Sequence, residues 1–320
     1  MKKLTIHLAA AVLLLHFIPI SAGAQQLIPV GKIVGLELRD GTVTVAALDE
    51  GRSAAKEAGI LPGDTILAID GRAVTCGEDI RQVLSCSDGT VAVRLCRKGK
   101  EQELTLHPEI TADGPKLGVF LRQGVTGIGT VTWYDPESDA FATLGHGVNS
   151  ADGSLLEMTS GFCYPARILS VKQGRSGSPG QLMGTIDGIR PIGQLTANTT
   201  RGVYGKSESG WEGQLFEVAA GSEVKTGSAT ILSTVEGSAV REYSVEILKL
   251  YPRSRTSGRN MLIRVTDPAL LDTTGGIVQG MSGSPIIQDG KLIGAVTHVL
   301  VNDPTTGYGI FIENMLDAAA

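Results

Sequence analysis

Beyond residue 109 the sequence runs in short apolar stretches rich in Val, Ile and Thr, each cut off by glycine or another turn former. That rhythm limits the fold more than any other feature. The stretches at 127–134, 226–235, 243–250, 260–265 and 291–300 are too short for ordinary helices, and they carry β-branched side chains. Helical periodicity is almost absent until 312–319. The pattern predicts an all-β barrel or sandwich closed by a C-terminal helix. Composition agrees: 42 glycines in 320 residues suit many tight turns, and with 42% apolar residues the chain can bury a sizeable core.

Residues 27–108 form a separate block. Strands are expected at 42–48, 65–69, 91–95 and 103–106, and a helix over 77–84 with Ile80, Val83 and Leu84 on one face. A shorter helix over 53–58 would end at Gly59. The segment 58–71 reads Ala-Gly-Ile-Leu-Pro-Gly-Asp-Thr-Ile-Leu-Ala-Ile-Asp-Gly. Pro62-Gly63-Asp64 makes a tight turn, Ile66 to Ile69 a core strand, and Asp70-Gly71 a pair that tolerates left-handed backbone. The segment resembles the signature of PDZ domains. The resemblance implies a loop at Gly35, Leu36, Glu37 and Leu38 that captures a peptide C-terminus while the peptide adds a strand to the sheet. A plain strand is the other reading of those four residues.

The first 24 residues read as a targeting segment. Lys2 and Lys3 precede an apolar run to Ile20, and Ala22-Gly23-Ala24 offers a cleavage site. A cleaved signal peptide and a retained membrane anchor both fit. The division expected is 1–24 targeting segment, 27–108 PDZ domain and 109–320 peptidase. A net charge of −5 without a basic run argues against nucleic acid. The four cysteines, Cys76, Cys86, Cys96 and Cys163, lack zinc-site spacing; they read as buried small residues with at most one bridge among the first three. No cofactor and no metal is implied.

Gly280-Met281-Ser282-Gly283-Ser284-Pro285 carries the chemistry. Gly280 lets its own N–H and that of Ser282 point to one spot, an oxyanion hole, and Gly283 leaves room beside the hydroxyl. An apolar strand, a turn at Asp289-Gly290 and a second strand follow; the whole resembles the nucleophile region of chymotrypsin-like proteases. A serine needs a base. Of the histidines beyond the targeting segment, His107 lies beside Pro108 at a domain end, while His146 sits between Gly145 and Gly147 after an apolar strand and is the expected base. Asp267, at a strand end before Pro268, and Asp272 compete as the orienting carboxylate, with Asp267 favoured. His298, on the strand after the nucleophile, shapes a specificity pocket or is simply a strand histidine. Ser176-Gly177-Ser178-Pro179 repeats four letters of the motif but lacks the strand-turn-strand after it, and reads as a surface turn.

Taken in order, the hydrophobic start, the PDZ-like block, Leu144-Gly145-His146-Gly147 and the run from Gly276 through Ser282 to Pro304 resemble the stage IV sporulation protein B family of serine peptidases. The resemblance implies a mainly β chain, a PDZ domain followed by a chymotrypsin-like double β-barrel with a C-terminal helix. It implies a His146, Asp267, Ser282 triad. It further implies an exported enzyme, acting between forespore and mother-cell membranes, that cleaves itself and a membrane protein restraining an intramembrane metalloprotease, so that a sigma factor is processed. A non-catalytic PDZ adaptor and an HtrA-like quality-control protease are the alternatives; the latter places its PDZ domain after the protease.

Overall fold

The computed structural model describes residues 25–51, 53–150, 152–253 and 258–319. The expected targeting segment, 1–24, lies outside them. No helix among the described residues is long and apolar enough to cross a membrane. The chain opens with β1 (Gln26–Pro29) and β2 (Ile33–Leu48). Next come α1 (Ala54–Glu57), β3 (Thr65–Ile69), β4 (Arg72–Ala73), α2 (Gly77–Ser85), β5 (Val91–Arg97) and β6 (Lys100–Leu106). A small ribbon, β7 (Glu109–Thr111) and β8 (Gly114–Lys116), leads to β9 (Val119–Tyr134) and β10 (Ala140–Thr143). Then follow β11 (Ser160–Lys172), β12 (Gln181–Ile186), β13 (Gly193–Thr199) and β14 (Gly202–Ser207). The last part holds β15 (Phe216–Val218), β16 (Gly227–Ser233), β17 (Arg241–Leu250), β18 (Met261–Val265), α3 (Pro268–Thr274), β19 (Pro285–Gln288), β20 (Lys291–Leu300), β21 (Asp303–Phe311) and α4 (Ile312–Leu316).

Strand pairing closes two rings. In the first, β2, β9, β10, β14, β13 and β11 pair in that order and β11 returns to β2, all antiparallel. In the second, β16, β17, β18, β21, β20 and β19 pair in turn and β19 returns to β16. Closure leaves neither ring with an open edge. Each ring has its own apolar filling: Val34, Leu36, Leu38, Val131 and Phe141 in the first, Ile231, Val245, Ile263, Ile286 and Val296 in the second. Leu27, Trp133, Ala142, Tyr204, Ile310 and Met315 form a further cluster that joins strands of both rings to α4. This is the double β-barrel with a C-terminal helix that the family resemblance implied.

The PDZ unit does not precede the first barrel; it interrupts it. Residues 33–38 of β2 pair with β9 on one side and with β11 on the other, inside the barrel. Beyond Gly41, Val43 to Leu48 pair with residues 119–123 of β9 and, through Val43 and Thr44, with β3. The two long strands therefore leave the barrel together and become part of the PDZ sheet. The bend falls at Gly124, where φ is +66° and an added Cβ would sit 1.8 Å from the Leu38 carbonyl oxygen, so only glycine fits. The expected boundary at 108/109 is thus corrected: the barrel takes strands from both sides of the PDZ insertion.

Within the insertion, local expectations are met closely. β3 spans 65–69 and α2 covers the 77–84 helix, with Ile80, Val83 and Leu84 buried. Asp70 and Gly71 both take positive φ, as a tight hairpin turn requires. Asp64 is buried, and Arg97 grips it with two bonds of 2.7 and 2.6 Å. That guanidinium, more than the Leu61 N–H, holds the Asp64 carboxyl below its usual range. All four cysteines are free; only Cys163 is buried, so the expectation of buried cysteines holds for one of them.

Candidate active site

The nucleophile loop is built from the bottom of its own backbone. Gly280 has φ +100° and Gly283 φ +96°. Gly283 is glycine for a reason other than space beside the hydroxyl: its Cβ would fall 2.1 Å from the Thr130 carbonyl oxygen and 2.5 Å from the Leu144 nitrogen. The loop is seated by Gly283 N–H on Val296 O (2.8 Å) and Met281 N–H on Val278 O (3.1 Å). Met281 and Ser284 are buried, so the loop is anchored on either side of Ser282. Among the described residues, the N–H groups of Gly280 and Ser282 donate to no acceptor. Both residues line one cavity of about 460 Å³ together with His146, Thr297 and His298. Two free donors at positions i−2 and i of a serine loop are what an oxyanion hole needs.

His146 enters from the other barrel. It follows β10, where Leu144 and Gly145 both take positive φ and turn the chain sharply. Gly145 has no room for a side chain: a Cβ would lie 2.9 Å from Thr297 Cγ2. The His146 ring is half-buried, and its Nδ1 lies 2.9 Å from the Gly147 carbonyl oxygen. A carbonyl only accepts, so in that contact Nδ1 carries the proton and Nε2 keeps its lone pair. Burial lowers the His146 pKa, partly offset by the Gly147 bond, and the ring stays neutral at neutral pH. Asn198 holds the strand end beyond it: its Oδ1 accepts from Val148 N–H, and its Nδ2 donates to Val148 O and Leu156 O.

The His298 ring lies 5.2 Å from that of His146, centroid to centroid. Burial, then His146 and Arg259, push its pKa down to about 4, and its buried Nδ1 has no partner. Ser282 Oγ does not meet His146; it donates to Thr297 O at 2.9 Å.

Two expected assignments fall apart here. Asp267 does not reach His146. Its Oδ1 accepts from Leu270 N–H at 3.0 Å and its Oδ2 from Ser244 N–H at 3.4 Å, capping α3, with Pro268 as the first helical residue. The physical reason is legible in Asp-Pro itself, a helix start rather than a strand end. Asp272 is exposed on the same helix, and its carbonyl accepts from Gln173 Nε2. Among the described residues no carboxylate bonds to the His146 ring. Second, Gly35, Leu36, Glu37 and Leu38 cannot take up a peptide strand, because β9 and β11 occupy both edges of that stretch. An open strand edge of the PDZ unit is instead residues 119–123 of β9. It faces α2 across a groove of about 440 Å³ lined by Ile80, Leu84, Leu117, Val119 and Leu121. The local signal was Leu117-Gly118-Val119-Phe120, a glycine with φ +76° at the head of an apolar strand.

The other expectations stand as geometry. Ser176 to Pro179 form an exposed turn at the tip between β11 and β12, where Arg175 and Ser178 exchange backbone bonds. His107 follows β6 directly, its Nδ1 3.0 Å from Thr90 Oγ1.

Comparison with known proteins adds identity to this geometry. A candidate zinc metalloprotease of Rhizobium meliloti (strain 1021), R01501, is 36% identical over 99 residues, 31% of this chain and 26% of its own length. A second, Atu1380 of Agrobacterium fabrum, is 39% identical over 79 residues, 24% of this chain and 21% of its own length. The chain thus spans about a quarter of these curated relatives. The active form of the Rv3671c protease from M. tuberculosis is 16% identical with a TM-score of 0.38, covering 60% of this chain and 72% of that one. Its inactive form gives 0.34, over 60% of this chain and 82% of that one. Overlap at these scores is partial. The PDZ domain family matches residues 33–107, and the family described as SpoIVB peptidase S55 matches residues 114–316. With its serine loop and histidine lining one cavity across two closed barrels, the chain belongs to the SpoIVB peptidase S55 family.

Proposed function

We propose that Ser282 is the nucleophile of an endopeptidase, with His146 as its base and the N–H groups of Gly280 and Ser282 as the oxyanion hole. The observation that carries this reading is a pair of N–H groups without acceptors among the described residues, on two residues that line the same cavity as His146. For attack, Ser282 Oγ leaves the Thr297 carbonyl and turns to Nε2 of His146; such contacts commonly tighten only when substrate binds. The serine proton passes to Nε2, the tetrahedral oxyanion settles on the two N–H groups, and His146 returns the proton to the leaving amine. Water then hydrolyses the acyl-enzyme by the same route. The Gly147 carbonyl fixes the tautomer in place of a carboxylate. Each oxyanion donor is worth about two to three orders of magnitude in rate. His298, neutral in the same cavity, would offer a hydrogen bond to an amide or protonated acidic side chain next to the cleaved bond.

The PDZ groove between α2 and β9 would receive a peptide C-terminus as an added strand. Its substrate class is a protein partner, and the chain itself. The resemblance of residues 276–304 to the sporulation peptidases, together with the apolar start of the sequence, supports an extracytoplasmic role. There it would cleave a membrane regulator of an intramembrane metalloprotease, upstream of sigma-factor processing. The test is hydrolysis of an unfolded protein such as casein by wild type, Ser282→Ala and His146→Ala. The expected result is a loss of at least about 10³-fold in both variants; equal cleavage by Ser282→Ala would refute the assignment.

A further inference from the structure

The nucleophile loop owes its shape to glycines, and glycines leave a loop free to turn. Gly280 sits immediately before Met281 and Ser282 with no side chain to resist rotation of its peptide. The Gly280 N–H belongs to the 279–280 peptide and the Ser282 N–H to the 281–282 peptide, so the 280–281 peptide that joins them, and the 282–283 peptide beyond, must be held if both donors are to keep their direction. One residue does both. Thr130 of β9 donates its Oγ1 hydrogen to Gly280 O at 2.9 Å and its backbone N–H to Ser282 O at 3.1 Å. Its own carbonyl accepts from Leu144 N–H at 3.3 Å, in the turn that delivers His146. Thr130 is fully buried, so its side of these bonds is shielded from water. The Gly283 backbone packs against the same carbonyl.

We infer that Thr130 is a positioning residue for the peptidase reaction. Its hydroxyl pins the Gly280–Met281 peptide, which joins the two peptides that carry the oxyanion N–H groups, while its backbone ties the serine loop of one barrel to the histidine turn of the other. This rests on the reading of Ser282 as nucleophile. The hydroxyl touches neither substrate nor reacting atoms; it acts by keeping the Gly280 and Ser282 N–H groups pointed at the cavity before the oxyanion forms. Loss of that preorganisation raises the barrier to the chemical step and leaves ground-state binding alone.

The experiment compares wild type, Thr130→Val and Thr130→Ser in peptide hydrolysis, with thermal melting measured on each. Valine keeps the shape and the backbone bonds but removes the hydroxyl; serine keeps the hydroxyl. The expected result is kcat about tenfold lower for Thr130→Val with KM within about twofold, and kcat restored to within about threefold by Thr130→Ser. If Thr130→Val does not fold, Thr130→Ala replaces it, and the same contrast with Thr130→Ser is expected. A variant lacking the hydroxyl that turns over like wild type overturns the inference, as does an equal loss of kcat in the serine variant. A wild type that matches Ser282→Ala sinks the peptidase assignment instead, and this inference with it.

Discussion

The four letters Ser-Gly-Ser-Pro occur twice in this chain, and the two copies have opposite fates. At 176–179 they make an exposed turn between β11 and β12, where Ser176 Oγ bonds the Asn302 carbonyl and a Cβ on Gly177 would meet nothing. At 282–285 they form a packed loop: Ser284 is buried with its Oγ on Ser233 Oγ at 3.0 Å, Pro285 starts β19, and Gly283 lies against Thr130 and Leu144. Both copies have a glycine two residues ahead of the serine, but the Gly174 N–H donates to Thr274 O at 2.8 Å, whereas those of Gly280 and Ser282 have no acceptor among the described residues. The motif is therefore not the letters but what lies on the far side of them, and in this chain that is the other barrel.

The contrast can be broken most forcefully at its glycines. Gly283→Ala puts a methyl group onto the Thr130 carbonyl at positive φ, and the expected loss is roughly 3 kcal/mol or more of stability, with activity lost. Gly177→Ala pays only for its left-handed backbone, about 1 kcal/mol, and leaves activity intact. Chemical denaturation of the two variants measures this; equal midpoints would mean that the two loops are not packed differently.

A smaller effect separates the cap from the triad at Asp267. A triad acid needs its charge, whereas an N-cap needs only an acceptor oxygen. Asp267→Asn keeps the acceptor for Leu270 N–H, and turnover within about threefold of wild type is expected. Asp267→Ala costs about 1 kcal/mol of stability through α3. A fall of three or four orders of magnitude in the asparagine variant, with a normal melting curve, would restore Asp267 to the site.

What the sequence revealed and what it hid follow one physical line. Features settled by neighbours along the chain were legible: β3 at 65–69, the Asp70-Gly71 and Asp289-Gly290 turns with their positive φ, and the loop around Ser282. Features settled by distant partners were not. Whether the 35–38 strand has an open edge depends on β9 and β11, which lie beyond the PDZ insertion. The PDZ block looked like a leading domain because its own pattern is contiguous; only pairing shows that a barrel strand precedes it. Asp267 was misread because it follows an apolar stretch and looked like a strand end fixed by Pro268, although Asp-Pro also spells a helix cap. Thr130 gave no signal at all, since its hydroxyl meets a carbonyl 150 residues away.

Ser282, and not its twin at 176, is the proposed reactive serine. Treating the protein with a fluorophosphonate and mapping the adduct by peptide mass spectrometry tests that assignment directly. The expected result is a stoichiometric adduct on the peptide containing Ser282, absent in His146→Ala, with Ser176 and Ser178 unmodified. An adduct on Ser176, or hydrolysis by an enzyme whose Ser282 never labels, would contradict it.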